Sequence, residues 1–372
     1  MTGPGSGPSP QLAEHARLGR AVVLSAVLPL DRSGRIVEGG IREQTRCVLE
    51  RLGEAASRAG VSIARAAAIH VYLRDAADFA AMNEAYAPFF PVDPPTRTTV
   101  VAPPVEQAAA IAISAVVIPD GEPRDVVHPA AWQRSRHPYS YAIRSGDTLW
   151  LSGLVSRRGT DGAAVDGDVG LQTQVVLDNA RDLLAAGGFG FADVVSARVY
   201  IPEAGDFAPM NDVYRQAFAG MSPPARATVV AGLMLPSLQV EITFVAVRDP
   251  GRVAVGPSGP LPFSPGIVAG GRLFVAGMLG NAAGARIDTT TQTREIVTRV
   301  GQTLGQAGYT WADVSEALIY VTGPGVAASV LSELSHARAD GLPAGVVVQS
   351  ALVVPDATVE IMVTAAKSAA TP

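Results

Sequence analysis

Two arginines sit in nearly the same setting, Arg97 in PPTRTTVV and Arg226 in PPARATVV. Fifteen residues beyond Arg226 the segment VEI carries Glu241, and a second VEI carries Glu360. A guanidinium holds a carboxylate through two parallel charge-assisted hydrogen bonds, a planar fork that lysine cannot reproduce. A carboxyl group can hand over a proton, and hydroxyls such as those of Tyr139 and Ser152 can fix a ligand or a water. Together these types suit acid–base chemistry on a small carboxylate. The five histidines (15, 70, 128, 137 and 336) show no ligand spacing and are read as surface or packing residues, so no metal and no cofactor is expected.

Three copies of one pattern must position these groups. The second copy reads LWLSGLV at 149–155, LQTQVVLDNARDLLAAGG at 171–188, VVSARVYIPEAGDFAPMNDVYRQAF at 194–218, PPARATVV at 223–230 and VEITFVAV at 240–247. The first copy has VVLSAVL at 22–28 and FAAMNEAY at 79–86, and the third has LFVAGML at 273–279 and VEIMVTAA at 359–366. A period of about 120 residues is a whole small domain rather than a solenoid unit. The expected boundaries are 1–122, 123–250 and 251–372, with turn-rich linkers near 119–129 and 249–260. Within each copy the order is two short strands, helix, strand, helix, two strands. Val176, Ala180, Leu183 and Leu184 follow helical spacing, and Gly188 supplies a stop, as Gly60 and Gly308 do in the other copies. Val195, Ala197, Val199 and Ile201 are expected on one strand face. The fold class is α+β, a sheet with helices on one face. Three such sheets can close around a pseudo-threefold axis as an intrachain pseudo-trimer with a barrel-like core, helices outside, and clefts between neighbouring domains.

At these residues the chain resembles the RidA/YjgF family, the reactive intermediate deaminases. The second copy carries Pro138-Tyr139, Ser152-Gly153, Gln172-Thr173, FxxMNxxY at 207–214, PARxT at 224–228 and VEI at 240–242 in the order and spacing of that family. The resemblance covers most of the chain and implies a chorismate-mutase-like fold, a trimeric arrangement and hydrolysis of enamines or imines derived from amino acids, without cofactor or metal. It implies that the PARxT arginine holds the substrate carboxylate. The tyrosine, serine and glutamate of the other motifs would line the same cleft and place the water. The MN-Tyr stripes are read as core.

The copies have not kept the same polar groups. Aligned positions are Leu12, Ser25, Arg97, Thr99 and Ala112 in the first copy, and Tyr139, Ser152, Arg226, Thr228 and Glu241 in the second. In the third they are Phe263, Ala276, Gly345, Val347 and Glu360. If a cleft joins the arginine of one domain to the Tyr/Ser/Glu side of the next, Arg97 meets Tyr139, Ser152 and Glu241, a full set. Arg226 then meets Phe263, Ala276 and Glu360, and Gly345 meets a blank side. The expected catalytic groups are Glu241, Tyr139 and Ser152. Arg97, Arg226, Gly153, Thr99, Thr228 and Glu360 are expected to bind substrate. Plainer readings exist: a surface arginine, a solvated strand glutamate, a tyrosine packed at a seam, a structural serine hydroxyl.

Composition narrows the classes. A net charge of −5 argues against a nucleic-acid partner. No apolar run reaches membrane-spanning length. MTGPGSGPSP reads as a flexible tail rather than a signal peptide, and the single Cys47 fits a reducing cytoplasm. The leading expectation is a monomeric hydrolase of a carboxylate-bearing enamine or imine, specific to one pathway of secondary metabolism. A chorismatase-like hydrolase of a cyclic acid and a non-catalytic protein binding a small carboxylate or a partner are the alternatives.

Overall fold

The computed structural model describes residues 10–257, 259–280, 287–338 and 340–367. The tail reading of residues 1–9 lies outside them. Each domain is one sheet with two long helices on its outer face: α1 (Ile41–Arg58) and α2 (Phe79–Tyr86), α3 (Val169–Gly187) and α4 (Phe207–Ala217), α5 (Thr289–Gln306) and α6 (Ala327–Ala337). Apolar residues at helical spacing bury the inner stripe. Val176, Ala180, Leu183 and Leu184 of α3 are fully buried against Met210 and Tyr214 of α4. Gly188 then ends α3 in the left-handed conformation at φ +80°.

In each sheet the strand before the second helix runs parallel to the strand after it: Ala66–Leu73 to Thr96–Val101, Val194–Ile201 to Ala225–Val230, and Val314–Val321 to Ala344–Gln349. The helix makes the crossover that a parallel pair needs. The last strand of each domain pairs antiparallel on the other side. Two expectations are corrected. The turn-rich linkers contain short edge strands, Asp125–Val127 and Val253–Val255, because their valines pair with Ala142–Ser145 and Gly266–Ala269. Val195 does not share a face with Ala197, Val199 and Ile201. A register shift between Val194 and Ser196 turns it to the opposite side.

The inner faces of the three sheets meet. Tyr72, Val100 and Ala112 of the first domain, Tyr200 and Val229 of the second, and Tyr320 and Val348 of the third form one buried cluster. Tyr200 and Tyr320 are joined through their hydroxyls at 3.2 Å. Each edge strand is continued by the next domain in cyclic order. Val101 donates to Gly232, Val229 and Val230 pair with Leu352 and Ala351, and Gln349 donates to Pro103. These contacts cover the open edges that would otherwise template further pairing. A polar layer crosses the same centre, where Arg198 bonds His70 Nε2 at 3.0 Å and Glu316 at 3.3 Å.

Candidate active site

The strand that carries Ser152-Gly153, and its equivalents with Ser25-Ala26 and Ala276-Gly277, is broken at that pair in every domain. Register shifts fall between Leu24 and Val27 and between Val275 and Met278, and Thr148–Leu151 ends where Leu154–Val155 begins. Such bulges turn a side chain off the regular pleat. Here the break faces Ser152 toward the first domain. Its hydroxyl donates to the Ser140 carbonyl at 2.7 Å and accepts the Arg97 backbone N–H at 2.9 Å. Gly153 N–H donates to the Arg97 carbonyl at 3.1 Å. Arg97 is thereby fixed against the second domain through both its main-chain N–H and its carbonyl.

Above that seam lies a cavity of about 690 Å³, whose walls include Arg97, Thr99, Tyr139, Gly153 and Glu241. Arg97 is 5% exposed, and its Nη1 has no hydrogen-bond partner among the described residues. Three aromatic rings surround the guanidinium: Tyr86 at 5.0 Å, Tyr139 at 5.5 Å and Phe79 at 5.7 Å. The rings favour the cation without engaging its N–H donors. Thr99 Oγ1 is buried and equally free. Glu241 is buried beside Thr99, whose backbone N–H reaches its carboxyl. Burial pushes the Glu241 carboxyl up to about 8, against the opposing pull of that N–H and of Arg97. Gly153 makes room for it: a Cβ there would lie 1.9 Å from Glu241 Oε1.

The second seam repeats this frame with other side chains. Arg226 stands between Tyr214 at 4.7 Å, Phe263 at 5.6 Å and Phe207 at 5.9 Å, and its Nη2 donates to Asn211 Oδ1 at 2.6 Å. Burial lowers this guanidinium to about 10, so it stays charged at neutral pH. Arg226 Nε and Nη1, Thr228 Oγ1 and Glu360 Oε2 have no partner among the described residues. Burial raises the Glu360 carboxyl to about 8, and Gly277 leaves the space it fills. The third seam keeps only the main-chain frame. Gly345 N–H donates to Ser25 Oγ at 2.8 Å, and Leu12 bridges to Leu342.

The structure therefore brings Arg97, Thr99, Tyr139, Gly153 and Glu241 to one cavity, and Arg226, Thr228 and Glu360 to another seam. Ser152 lies beneath the cavity, with its hydroxyl engaged on both sides. Two sequence readings gain a further role in the structure. Tyr86 and Tyr214 are core residues, but their rings also form the arginine cradles, which the i, i+7 spacing with Phe79 and Phe207 could have signalled. His137 is an exposed residue, as read, with a further place in the site. It lines the cavity, meets Phe79 edge-on at 5.5 Å, and is held below its usual range by burial and then by Arg97 and Arg157. His70 is a buried partner of Arg198. Among the described residues no group of three or more His, Cys, Asp or Glu is placed to hold a metal ion, and no helix is long and apolar enough to cross a membrane. Cys47 is half-buried on α1, with Sγ 3.5 Å from the Leu30 carbonyl.

Known proteins resemble this chain one domain at a time. The family model described as Endoribonuclease L-PSP matches residues 8–118, 131–248 and 254–367. A RutC family protein of Pyrococcus horikoshii is 37% identical over 112 residues, 30% of this chain and 88% of the relative. A 2-iminobutanoate/2-iminopropanoate deaminase of Bos taurus is 33% identical over 127 residues, 34% of this chain and 92% of the relative. Among solved structures, a YjgF family member of Neisseria meningitidis is 37% identical, covers 30% of this chain and 88% of its own, with a TM-score of 0.27. E. coli TdcF with bound serine is 26% identical, covers 34% of this chain and 99% of its own, with a TM-score of 0.31.

Proposed function

The chain belongs to the Endoribonuclease L-PSP (RidA/YjgF) family, three domains of it in one polypeptide, and on that premise we propose that it is a cofactor-free hydrolase of a carboxylate-bearing imine or enamine. The observation that carries this reading is the pairing, in one cavity, of a buried guanidinium with a free N–H and a carboxyl group that burial holds protonated at neutral pH. Arg97 would bind the substrate carboxylate, with Thr99 beside it. Neutral Glu241 would donate its proton to the imine nitrogen, or to the β-carbon of an enamine. The resulting iminium carbon is open to water. The carboxylate left behind takes a proton from that water as the C–O bond forms. Proton transfer to nitrogen then lets ammonia leave, and the carbonyl product remains. Tyr139 would orient the substrate over Arg97, and Ser152 would act as a positioning residue through the Arg97 main chain.

The deaminase name of the bovine relative supports this chemistry. The name of the family model includes a nuclease, but a net charge of −5 over the whole chain argues against a nucleic-acid partner. Three domains that complete one another's sheet edges support a monomer, and two unlike arginine seams suit a dedicated pathway enzyme better than general metabolite clean-up. The deciding measurement is ammonia release from freshly generated 2-iminopropanoate. Turnover that Arg97→Lys abolishes while Arg226→Lys spares it supports the cavity described. Turnover lost only with Arg226→Lys moves the reaction to the second seam. Carboxylate binding with no ammonia release at all replaces the enzyme with a binding protein.

A further inference from the structure

The cavity at the first seam is much larger and more cationic than a two- or three-carbon imino acid requires. Its 690 Å³ falls within the range of roughly 300–1,000 Å³ that suits drug-sized ligands. Besides Arg97, its rim carries Arg134, Arg136 and Arg157, none of which forms an ion pair among the described residues. The two carboxylates on the wall do not offset them. Asp161 is bound to Arg158 at 2.7 Å, and Glu241 is mostly protonated at neutral pH. A chain of net charge −5 thus concentrates positive charge in one concave place, where low-dielectric walls focus the field on an anion. Arg157, also on the cavity wall, donates from Nη1 to the Gly162 carbonyl at 3.0 Å. His137 lines the same cavity and feels both Arg97 and Arg157, so both guanidiniums act on the space it borders. The wall of the same cavity also carries apolar and aromatic side chains, Tyr141, Val155, Met234 and Leu238 among them. The stretch of the third domain that matches Arg134 and Arg136, residues 253–263, contains no cation, so these two arginines have no counterpart there.

We infer that this cleft takes a substrate with two anionic ends, a carboxylate on Arg97 and a second carboxylate or phosphoryl group on Arg157 with Arg134 and Arg136, joined by an apolar body. The inference rests on the carboxylate reading of Arg97 and sets the substrate class. It is tested by titrating the full chain at low salt with benzoate, isophthalate and 3-phosphonobenzoate in a calorimeter. Both dianions are expected to bind at least about tenfold tighter than benzoate, the worth of one charged hydrogen bond. Replacing the rim by Arg157→Gln with Arg134→Gln and Arg136→Gln should bring the dianions to the affinity of benzoate in the same variant, with benzoate itself weakened far less than they are. The stronger of the two dianions identifies the second group. Arg97-dependent benzoate binding without a dianion preference overturns the second subsite alone. So does a preference that survives in the triple variant. Failure of all three probes to bind overturns this inference and the carboxylate reading together.

Discussion

Glu241 shows how burial can assign a role to a side chain. An ordinary glutamate is ionised at neutral pH and cannot donate a proton. Desolvation under Thr99 and beside Gly153 raises this one to about 8, which nearby Arg97 opposes but does not reverse. Activity should therefore hold below pH 8 and fall above it, and the falling limb should vanish in Glu241→Gln. That variant should lower kcat by about 10²- to 10⁴-fold, the usual span for one acid–base group, with ligand affinity kept. The same shift couples to stability. The folded value lies above the unfolded 4.5, so the contribution is fully present below about 4.5 and is lost as pH rises through about 8. Glu360 adds a second shift of the same sign. Melting temperatures of the wild type should thus decline between about pH 5 and pH 8, and Glu241→Gln should decline less. An equal decline in both would show that the Glu241 carboxyl is already ionised in the fold.

The broken strand is the element that makes a seam. Ser152 and Ser25 occupy the same bulge position in two domains, and each hydroxyl accepts a backbone N–H from the neighbouring domain, Arg97 in one case and Gly345 in the other. Either serine replaced by alanine should cost about 1–3 kcal/mol, because a buried N–H loses its acceptor. Only Ser152→Ala should also disturb turnover, since only that seam carries an arginine side chain above it. Equal melting losses with activity changed in one variant would separate the frame from the chemistry. Loss of activity in both would mean that the seams are coupled. Helix and strand order could be read from spacing alone, because each element buries one regular stripe. The edge strands at 125–127 and 253–255 could not, since three-residue valine runs look like linker until a partner is known. Nor could the turn of Val195, which a local bulge decides. The co-location of Arg97 with Tyr139 and Glu241 was legible only because three diverged copies could be aligned. Nothing in the spacing of Arg134, Arg136 and Arg157 sets them apart from surface arginines until the cavity they line is known.

At the scale of the molecule, fusion allows each seam to change independently, which a trimer of identical chains does not permit. The third seam has gone furthest. Gly345 stands where Arg97 and Arg226 stand in the other domains, and its backbone has moved to φ +154°, a region open to glycine. A Cβ at this position would lie 1.8 Å from the Ala317 carbonyl oxygen. The backbone, and not only the side chain, has therefore left the arginine geometry. Gly345→Arg should fail to create another carboxylate site and should lower the melting temperature, because backbone strain of this kind alone costs about 1–3 kcal/mol. The sheet edge at this seam remains paired, with Gln349 donating to Pro103, so the domains should stay closed upon one another. The exposed large apolar residues, Val92, Leu171, Met221, Leu235, Val253 and Leu261, are spread over all three domains and offer little for association between chains. Light scattering should accordingly give the mass of one chain, 38.3 kDa, for both the wild type and Gly345→Arg. A wild-type mass of three chains would mean that the edge contacts form between polypeptides. Binding of one extra benzoate per chain by Gly345→Arg would mean that the third seam has kept the arginine frame after all.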